Sequence, residues 1–235
     1  MKNKYVVVAI IVLSFSCKTE DVEPIINPPV DPTEILGCTD PNAVNYNSDA
    51  NTDDGCCQYN SLLLNEVLYD PSNSGLEGDA NGDGAYVHDE DEFVELINVS
   101  NSNLDISGYE FYDNENLISG MPNHIVPPGT ILPPMTAYVV FGGGSPNPAN
   151  FGGAIVHTAS ASFLNLNNSS DTLTIKNDIG ETIIVFDVEA LSNNPNESYT
   201  RLPDICGDFL QHNSTGSGLL FSPGSKSNGD PFLDL

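Results

Sequence analysis

The chain has 235 residues, enough for one domain of ordinary size with small additions. Asp and Glu number 33 against 6 Lys and Arg, giving a formal net charge of −27; such a surface repels phosphate backbones, argues against nucleic acid as a partner, and makes divalent cations the natural counter-ions. With 20 glycines, 17 prolines and no tryptophan, and with short apolar runs that stop at Asn, Asp, Ser, Gly or Pro, the composition favours an all-β domain with many turns over a helical one.

At the N-terminus, Lys2 and Lys4 precede an apolar stretch from Tyr5 to Leu13, and Ser14-Phe15-Ser16 leads to Cys17. The stretch is too short to span a bilayer comfortably, so residues 1–16 read as a signal peptide rather than a membrane helix. The placement of Cys17 resembles a lipobox, although Phe15 and Ser16 stand where small residues are commoner. The resemblance implies that Cys17 is lipidated and becomes the first mature residue. The following Lys18-Thr19-Glu20-Asp21 resembles the acidic export signal of Bacteroidota surface lipoproteins, which implies attachment at the outer membrane. Residues 17–36 hold four prolines and no periodic pattern, as expected of an extended tether.

Residues 37–59 form a compact acidic segment, opening Gly37-Cys38-Thr39-Asp40-Pro41 and closing Asp53-Asp54-Gly55-Cys56-Cys57. So short a segment cannot bury a core, so a disulfide or a metal must hold it. Asp49, Asn51 and Asp53 space three oxygen ligands in alternation, a second and weaker metal cluster, with Asp54 where a calcium loop would carry glycine. The segment resembles a small module of Bacteroidota surface proteins that begins Gly-Cys-Thr-Asp-Pro and ends Asp-Asp-Gly-Ser-Cys, with Cys56 here in place of the serine. Apart from Cys17, the cysteines are Cys38, Cys56, Cys57 and Cys206, which allow three connectivities. The resemblance implies Cys38 with Cys57, and the two cysteines it leaves over, Cys56 and Cys206, are then expected to bridge the module to the rest of the chain.

From Leu62 onward strand-like runs recur at Leu62 to Tyr69, Phe93 to Val99, Tyr109 to Tyr112, Ala137 to Phe141, Asp171 to Lys176 and Thr182 to Val188. Each is bounded by turn residues, as in a sandwich. Leu173 and Ile175 alternate with Thr172, Thr174 and Lys176, one face inward and one toward water. Between the first two runs lies the sharpest local signal, Asp79-Ala80-Asn81-Gly82-Asp83-Gly84-Ala85-Tyr86-Val87-His88-Asp89-Glu90. It fits the twelve-residue calcium loop at every fixed position. Asp79, Asn81 and Asp83 would aim oxygens at one Ca2+, Gly84 would permit the turn, Ala85 would offer its carbonyl and Glu90 two oxygens. No amphipathic helix precedes or clearly follows the loop, so Asp89 or Asp91 could replace Glu90. Glu66 and Glu95, among apolar residues on strands, could complete a metal site or cap turns, though such acids are more often partly exposed. Gly142-Gly143-Gly144 reads as a flexible turn. His88, His124, His157 and His212 form no metal or nucleophile pattern, and each reads as a surface or turn residue.

The order of these runs resembles that of a lamin-tail domain over residues 61–229. Leu64-Asn65-Glu66-Val67-Leu68-Tyr69-Asp70-Pro71, Asp91-Glu92-Phe93-Val94-Glu95-Leu96-Ile97-Asn98 and Leu104-Asp105-Ile106-Ser107-Gly108-Tyr109 resemble its opening strands. Ile125-Val126-Pro127-Pro128-Gly129, Glu197-Ser198-Tyr199-Thr200-Arg201-Leu202-Pro203-Asp204 and Phe221-Ser222-Pro223-Gly224 resemble its middle and end. The resemblance implies an immunoglobulin-like β-sandwich, a fold that hosts many functions, with residues 230–235 as a C-terminal tail. The chain is expected to be a non-enzymatic surface lipoprotein that presents a calcium-supported domain to an extracellular protein or glycan. The alternative is an accessory subunit of a secreted nuclease, phosphatase or glycan hydrolase.

Overall fold

The computed structural model describes residues 33–161, 163–191 and 195–232; Cys17 and nearly all of the expected tether lie outside them. The small module opens with β1 (Leu36–Gly37), paired in parallel with β2 (Thr52–Asp53). The chain then runs through β3 (Leu62–Leu68), a single helical turn α1 (His88–Asp91), β4 (Phe93–Asn98), β5 (Leu104–Asp105) and β6 (Glu110–Tyr112). Helix α2 (Asn114–Ser119), β7 (His124–Ile125), β8 (Ile131–Leu132), β9 (Ala137–Phe141) and β10 (Ile155–Thr158) follow. Last come β11 (Thr172–Lys176), β12 (Thr182–Asp187), β13 (Tyr199–Leu202) and β14 (Asp208–Gln211).

Two sheets face each other as an immunoglobulin-like sandwich. The larger runs β10-β9-β4-β3-β13-β14 and the smaller β12-β11-β6-β7, with β5 and β8 forming a separate ribbon. Leu64, Val67, Val94, Leu96 and Val140 of the larger sheet meet Phe111, Leu173, Ile175 and Phe186 of the smaller one. Each such side chain, buried in full, stabilises the fold by about 1.5–3 kcal/mol before entropy is set against it.

A bulge in β3 decides what the other face of the large sheet carries. Leu64 pairs with Leu96 and Glu66 with Glu95, so Asn65 is an extra residue. An extra residue shifts the two-residue phase of a strand by one. Leu62 and Leu64 before it, and Val67 and Tyr69 after it, therefore all reach the sandwich core. Glu66 is turned with Leu68 to the outer face, opposite Glu95.

That outer face is not open to water. Leu68, Phe93, Ile97, Val99, Val139 and Phe141 form a second apolar cluster, covered by Ala80, Phe151 and Phe232 and by the partly buried Val44, Ile205 and Phe221. Burial on both faces is why β9 reads as an unbroken Ala-Tyr-Val-Val-Phe run rather than an alternation. Phe232 is 2% exposed, so the segment expected to be a tail ends, as far as it is described, with an aromatic anchor in this cluster.

The module contributes almost no core of its own; Cys38 and Ala43 are its buried apolar residues. Disulfides replace that core. Cys38 is joined to Cys57 with Cα atoms 4.8 Å apart, and Cys56 to Cys206 with Cα atoms 5.2 Å apart. Docking is completed by Gln58 Nε2, which donates to the Ile205 carbonyl at 2.9 Å, and by Asn101 Nδ2, which donates to the Tyr46 carbonyl at 3.2 Å.

Candidate functional site

The loop from Asp79 to Asp91 leads into β4 and is built around its own carboxylates. Asp79 accepts from the Asp83 and Gly84 amides at 3.2 and 3.0 Å, Asn81 Oδ1 from the Asp83 amide at 3.0 Å, and Asp83 Oδ1 from the Ala85 amide at 3.0 Å. Gly82 and Gly84 take positive φ values of 67° and 93°, a left-handed geometry that a side chain would strain. These bonds gather Asp79, Asn81 and Asp83 on one turn, with Ala85 two residues further on.

Asp91 has another task. It is fully buried, its Oδ1 accepts from the Asn81 amide at 3.2 Å and its Oδ2 from the Val87 amide at 2.8 Å. One carboxylate thus ties the two ends of the loop together. Burial pushes its pKa up to about 6, against the backbone N–H groups that lower it.

The three glycines expected to be a flexible turn form the seat of this loop. Gly142 and Gly143 donate their amides to the Glu92 and Glu90 carbonyls at 2.8 and 3.1 Å, and the Ser145 amide donates to Asp83 Oδ2 at 3.0 Å. A Cβ on Gly142 would lie 1.8 Å from the Asp89 carbonyl oxygen, and one on Gly144 would lie 2.3 Å from Asn81 Nδ2. Only glycine allows backbone and loop to approach this closely. Glu90 lies along this seat, its Cγ within 2.9 Å of where a Cβ on Gly143 would be.

On the other side of α1 a cleft of about 590 Å3 opens, lined among others by His88, Asp89, Glu92, Asp113, Asn167 and Asn168. Glu92 is 2% exposed, and its Oε2 accepts from the Leu166 amide at 3.2 Å. Burial holds its pKa well above the usual carboxylate range; the Leu166 amide opposes this, and the charges of Asp89, Asp171 and Asp113 add to it. Among the described residues, His88, Asp89 and Glu92 are the one group of three His, Cys, Asp or Glu side chains with ligand atoms within 4.8 Å of one another. Asp79, Asp83 and Glu90 are not in such a group. Much of a calcium loop's coordination comes instead from amide and backbone oxygens, here Asn81 and Ala85, and Glu90 would complete the set by turning from Gly143.

The remaining expected ligands are placed elsewhere. Asn51 Oδ1 accepts from the Ile35 amide at 2.9 Å and Asp53 Oδ1 from the Gly55 amide at 3.0 Å, while Asp49 is exposed beside Asn47. The Asn51 and Asp53 side chains thus brace turns of the module. Glu66 and Glu95 are not partly exposed acids but are fully buried, and they contact the C-terminal segment rather than a metal-ligand group. The histidines also differ from expectation: His124 and His212 are buried at 1% and 0% exposure, and only His88 and His157 are partly open. His124 Nε2 lies 2.8 Å from the Tyr138 hydroxyl, and burial lowers its pKa to about 4.

The Lamin Tail Domain family model matches residues 58–190, more than half of the 235 residues. The match runs from the end of the module through β12 and contains both the loop and the cleft; β13, β14 and the segment that covers the outer face lie beyond it. No curated protein matches the sequence.

Proposed function

The chain belongs to the lamin-tail-domain family, and from that premise we propose that it is a calcium-supported binding module without catalytic activity, held at the cell surface by a lipid on Cys17. The observation that carries the calcium reading is the loop on its glycine seat. Asp79, Asn81 and Asp83 sit on one turn, their positions set by backbone amides, with the Ala85 carbonyl and Glu90 next in sequence. That is the hard oxygen set calcium takes.

A non-catalytic role agrees with the place of the Ser–His–carboxylate chain in the molecule. His212 Nε2 lies 3.0 Å from Ser222 Oγ, which lies 2.8 Å from Glu66 Oε2, but these residues are 0%, 6% and 0% exposed. Ser222 belongs to the C-terminal segment and is turned inward onto Glu66, not toward a cleft where a substrate could reach it. With a formal charge of −27, an extracellular protein or glycan suits the surface better than nucleic acid does.

Calcium that binds only the folded state raises stability by mass action, about 2.7 kcal/mol at 100 times the Kd. For a chain of this size that corresponds to roughly 5–10 °C in melting temperature. Scanning calorimetry of the full chain in excess calcium and in chelator should show this rise, and an Asp79→Ala/Asp83→Ala variant should show none. An unchanged melting temperature together with no calcium uptake by titration calorimetry would refute the calcium role. Attachment is tested separately: Cys17→Ser is expected to move the chain from the membrane to the soluble fraction, and full retention in the membrane would place the anchor elsewhere.

A further inference from the structure

Where the small module meets the sandwich there is a cavity of about 520 Å3, a size usual for small-ligand sites. Its lining comes from residues 36–54 of the module and from Val99, Asn101, Met135 and Ile205 of the sandwich. We propose that this cavity binds a neutral oligosaccharide, which rests on the reading of the chain as a non-catalytic binding protein and names the class and place of its ligand. Charge narrows the class first. In a chain with 33 Asp and Glu, the lining among the described residues includes one carboxylate, Asp54, and no lysine or arginine. An anion finds no counter-charge there, and a cation is drawn more strongly to the cleft beside α1, where Asp89, Glu92, Asp113 and Glu115 stand together.

The polar atoms left open in the lining suit hydroxyl groups. Asn47 Oδ1 accepts from the Asp49 amide at 3.0 Å, Asn101 Nδ2 donates to the Tyr46 carbonyl at 3.2 Å, and Asp54 Oδ1 accepts from the Cys56 amide at 2.9 Å. Each side chain thus gives one atom to the fold, and these bonds decide which way round the two carboxamides sit. The atoms that remain, Asn47 Nδ2, Asn101 Oδ1 and Asp54 Oδ2, make no hydrogen bond among the described residues. One is a donor and two are acceptors, and the hydroxyls of Ser48 and Tyr46, also in the lining, are both. A sugar hydroxyl donates and accepts, so it uses this mixture fully. An ammonium group offers donors alone and a carboxylate acceptors alone.

The rest of the lining is apolar, which suits the C–H faces of a sugar ring. Leu36 and Tyr46, on the module, are exposed, and Met135 and Ile205 belong to the sandwich wall. Met135 and Ile205 take φ values of 54° and 60°, a left-handed conformation that is costly for a side chain and most of all for a β-branched one. At Ile205 the surroundings enforce it. Its amide donates to Asn65 Oδ1 at 2.9 Å, its carbonyl accepts from Gln58 Nε2 at 2.9 Å, and the next residue, Cys206, is bridged to Cys56. The same bridge and Gln58 tie the module to the sandwich, so the cavity is formed before a ligand arrives and little ordering cost opposes binding.

The test uses the full chain carrying Cys17→Ser, isotope-labelled and saturated with calcium. It is titrated with neutral trisaccharides of glucose, galactose, mannose, xylose and N-acetylglucosamine, and with the anionic trigalacturonate, and followed by amide NMR shifts. At least one neutral sugar is expected to bind and to shift amides of residues 36–54 together with those of Asn101, Met135 and Ile205, while trigalacturonate leaves them in place. Tyr46→Ala takes a ring from the lining and Ser48→Trp fills the cavity. Both positions are exposed, so both variants should melt with the parent and weaken binding by roughly tenfold or more. No binding by any neutral sugar, or an affinity unchanged in both variants, would overturn the proposal. Shifts confined to another face, such as the cleft beside α1, would overturn the site and leave the chain a saccharide-binding protein. Cleavage of a sugar bound in the cavity, read as new reducing ends, would support the site and refute the non-catalytic reading, and the calcium role is read separately from the melting temperature.

Discussion

Removing the Cys56–Cys206 bridge by the double substitution Cys56→Ser/Cys206→Ser is expected to lower the stability of the chain by about 3–5 kcal/mol, or roughly 10 °C in melting temperature. The two cysteines are 150 residues apart in sequence, and the entropy removed from the unfolded chain by a cross-link grows with the loop it closes; a closure this long reaches about 5 kcal/mol in that model. The double variant is used because a single one would leave a free thiol beside the Cys38–Cys57 bridge. Cys38→Ser/Cys57→Ser should act differently. Its loop spans 19 residues, for which the same model gives about 3 kcal/mol, and that loss falls on a module whose buried apolar residues are Cys38 and Ala43. The module should then become protease-sensitive while the sandwich melts near its parent temperature. Differential scanning calorimetry and limited proteolysis of both variants check this. If Cys56→Ser/Cys206→Ser melted within 2–3 °C of the parent, a stabilisation of less than about 1 kcal/mol, the bridge would not be stabilising the fold.

Much of the sandwich was legible in the sequence, for a definite reason. The six expected strands all form, with ends that agree within one residue, because each is an apolar or alternating run between strong turn residues. Of the strands in the two sheets, β7, β10, β13 and β14 were missed. β13 carries Arg201, whose guanidinium stacks over Phe209 of β14 at 4.6 Å and donates to the Leu64 and Gly207 carbonyls, so this part of the sheet is held by a polar side chain and not by an apolar stripe. The turn that gathers Asp79, Asn81 and Asp83 and both cysteine pairs are local patterns or differences from a motif, and they can be read from sequence. The approach of His88, Asp89 and Glu92 to one another was not found, because Glu92 reads as a residue of the strand motif and only α1 brings it near the imidazole. Gly142 to Gly144 were misread for a similar reason: three glycines signal conformational freedom, but here they are required by atoms of a loop about fifty residues earlier. Glu66 and Glu95 were taken as ordinary strand acids because nothing in the sequence shows that the bulge at Asn65 and the segment around Ser222 would enclose them.

That enclosure leads to the second large effect: stability should fall as the pH rises from about 4.5 to about 7. Glu66 and Glu95 face each other across β3 and β4, both at 0% exposure. Glu95 accepts from Asn65 Nδ2 at 2.9 Å and from the Gly224 amide at 2.6 Å. Glu66 Oε1 accepts from Ser198 Oγ at 2.6 Å and from the Ser222 amide at 2.9 Å. Its Oε2 is 2.8 Å from Ser222 Oγ, which is 3.0 Å from His212 Nε2, while His212 Nδ1 is 2.9 Å from the Leu219 carbonyl. A carbonyl only accepts, so Nδ1 carries hydrogen. In a neutral ring Nε2 then accepts from the serine hydroxyl, which leaves that hydroxyl no proton for Glu66. Oε2 must therefore be the protonated oxygen, donating to Ser222.

This uncharged chain agrees with the direction of every pKa involved. Burial pushes Glu66 up to about 7 and Glu95 well above the carboxylate range, with the Glu66 charge next among the causes for Glu95, and burial lowers His212. Asp204, whose carboxylate is held by Ser227, adds to the upward push on both glutamates. Between the unfolded value near 4.5 and the folded value near 7, the folded state of Glu66 binds more protons than the unfolded state. Its contribution is thus fully present below about 4.5 and lost as the pH passes through 7, on the order of 3 kcal/mol. Glu95 acts in the same direction. Glu66→Gln keeps an acceptor at Oε1 and a donor toward Ser222 but cannot ionise. In chelator, so that bound calcium adds no pH dependence, denaturant unfolding at pH 5 and pH 8 should show the parent chain losing stability while Glu66→Gln loses about 3 kcal/mol less. Hydrogen exchange in residues 219–232 should also rise in the parent at pH 8, because the amides of Ser222 and Gly224 would be held by carboxylates that charge repulsion drives apart. A parent chain whose stability rises between pH 5 and 8, or a variant with an unchanged pH slope, would show that the glutamates are charged in the fold and that the C-terminal segment is held in some other way.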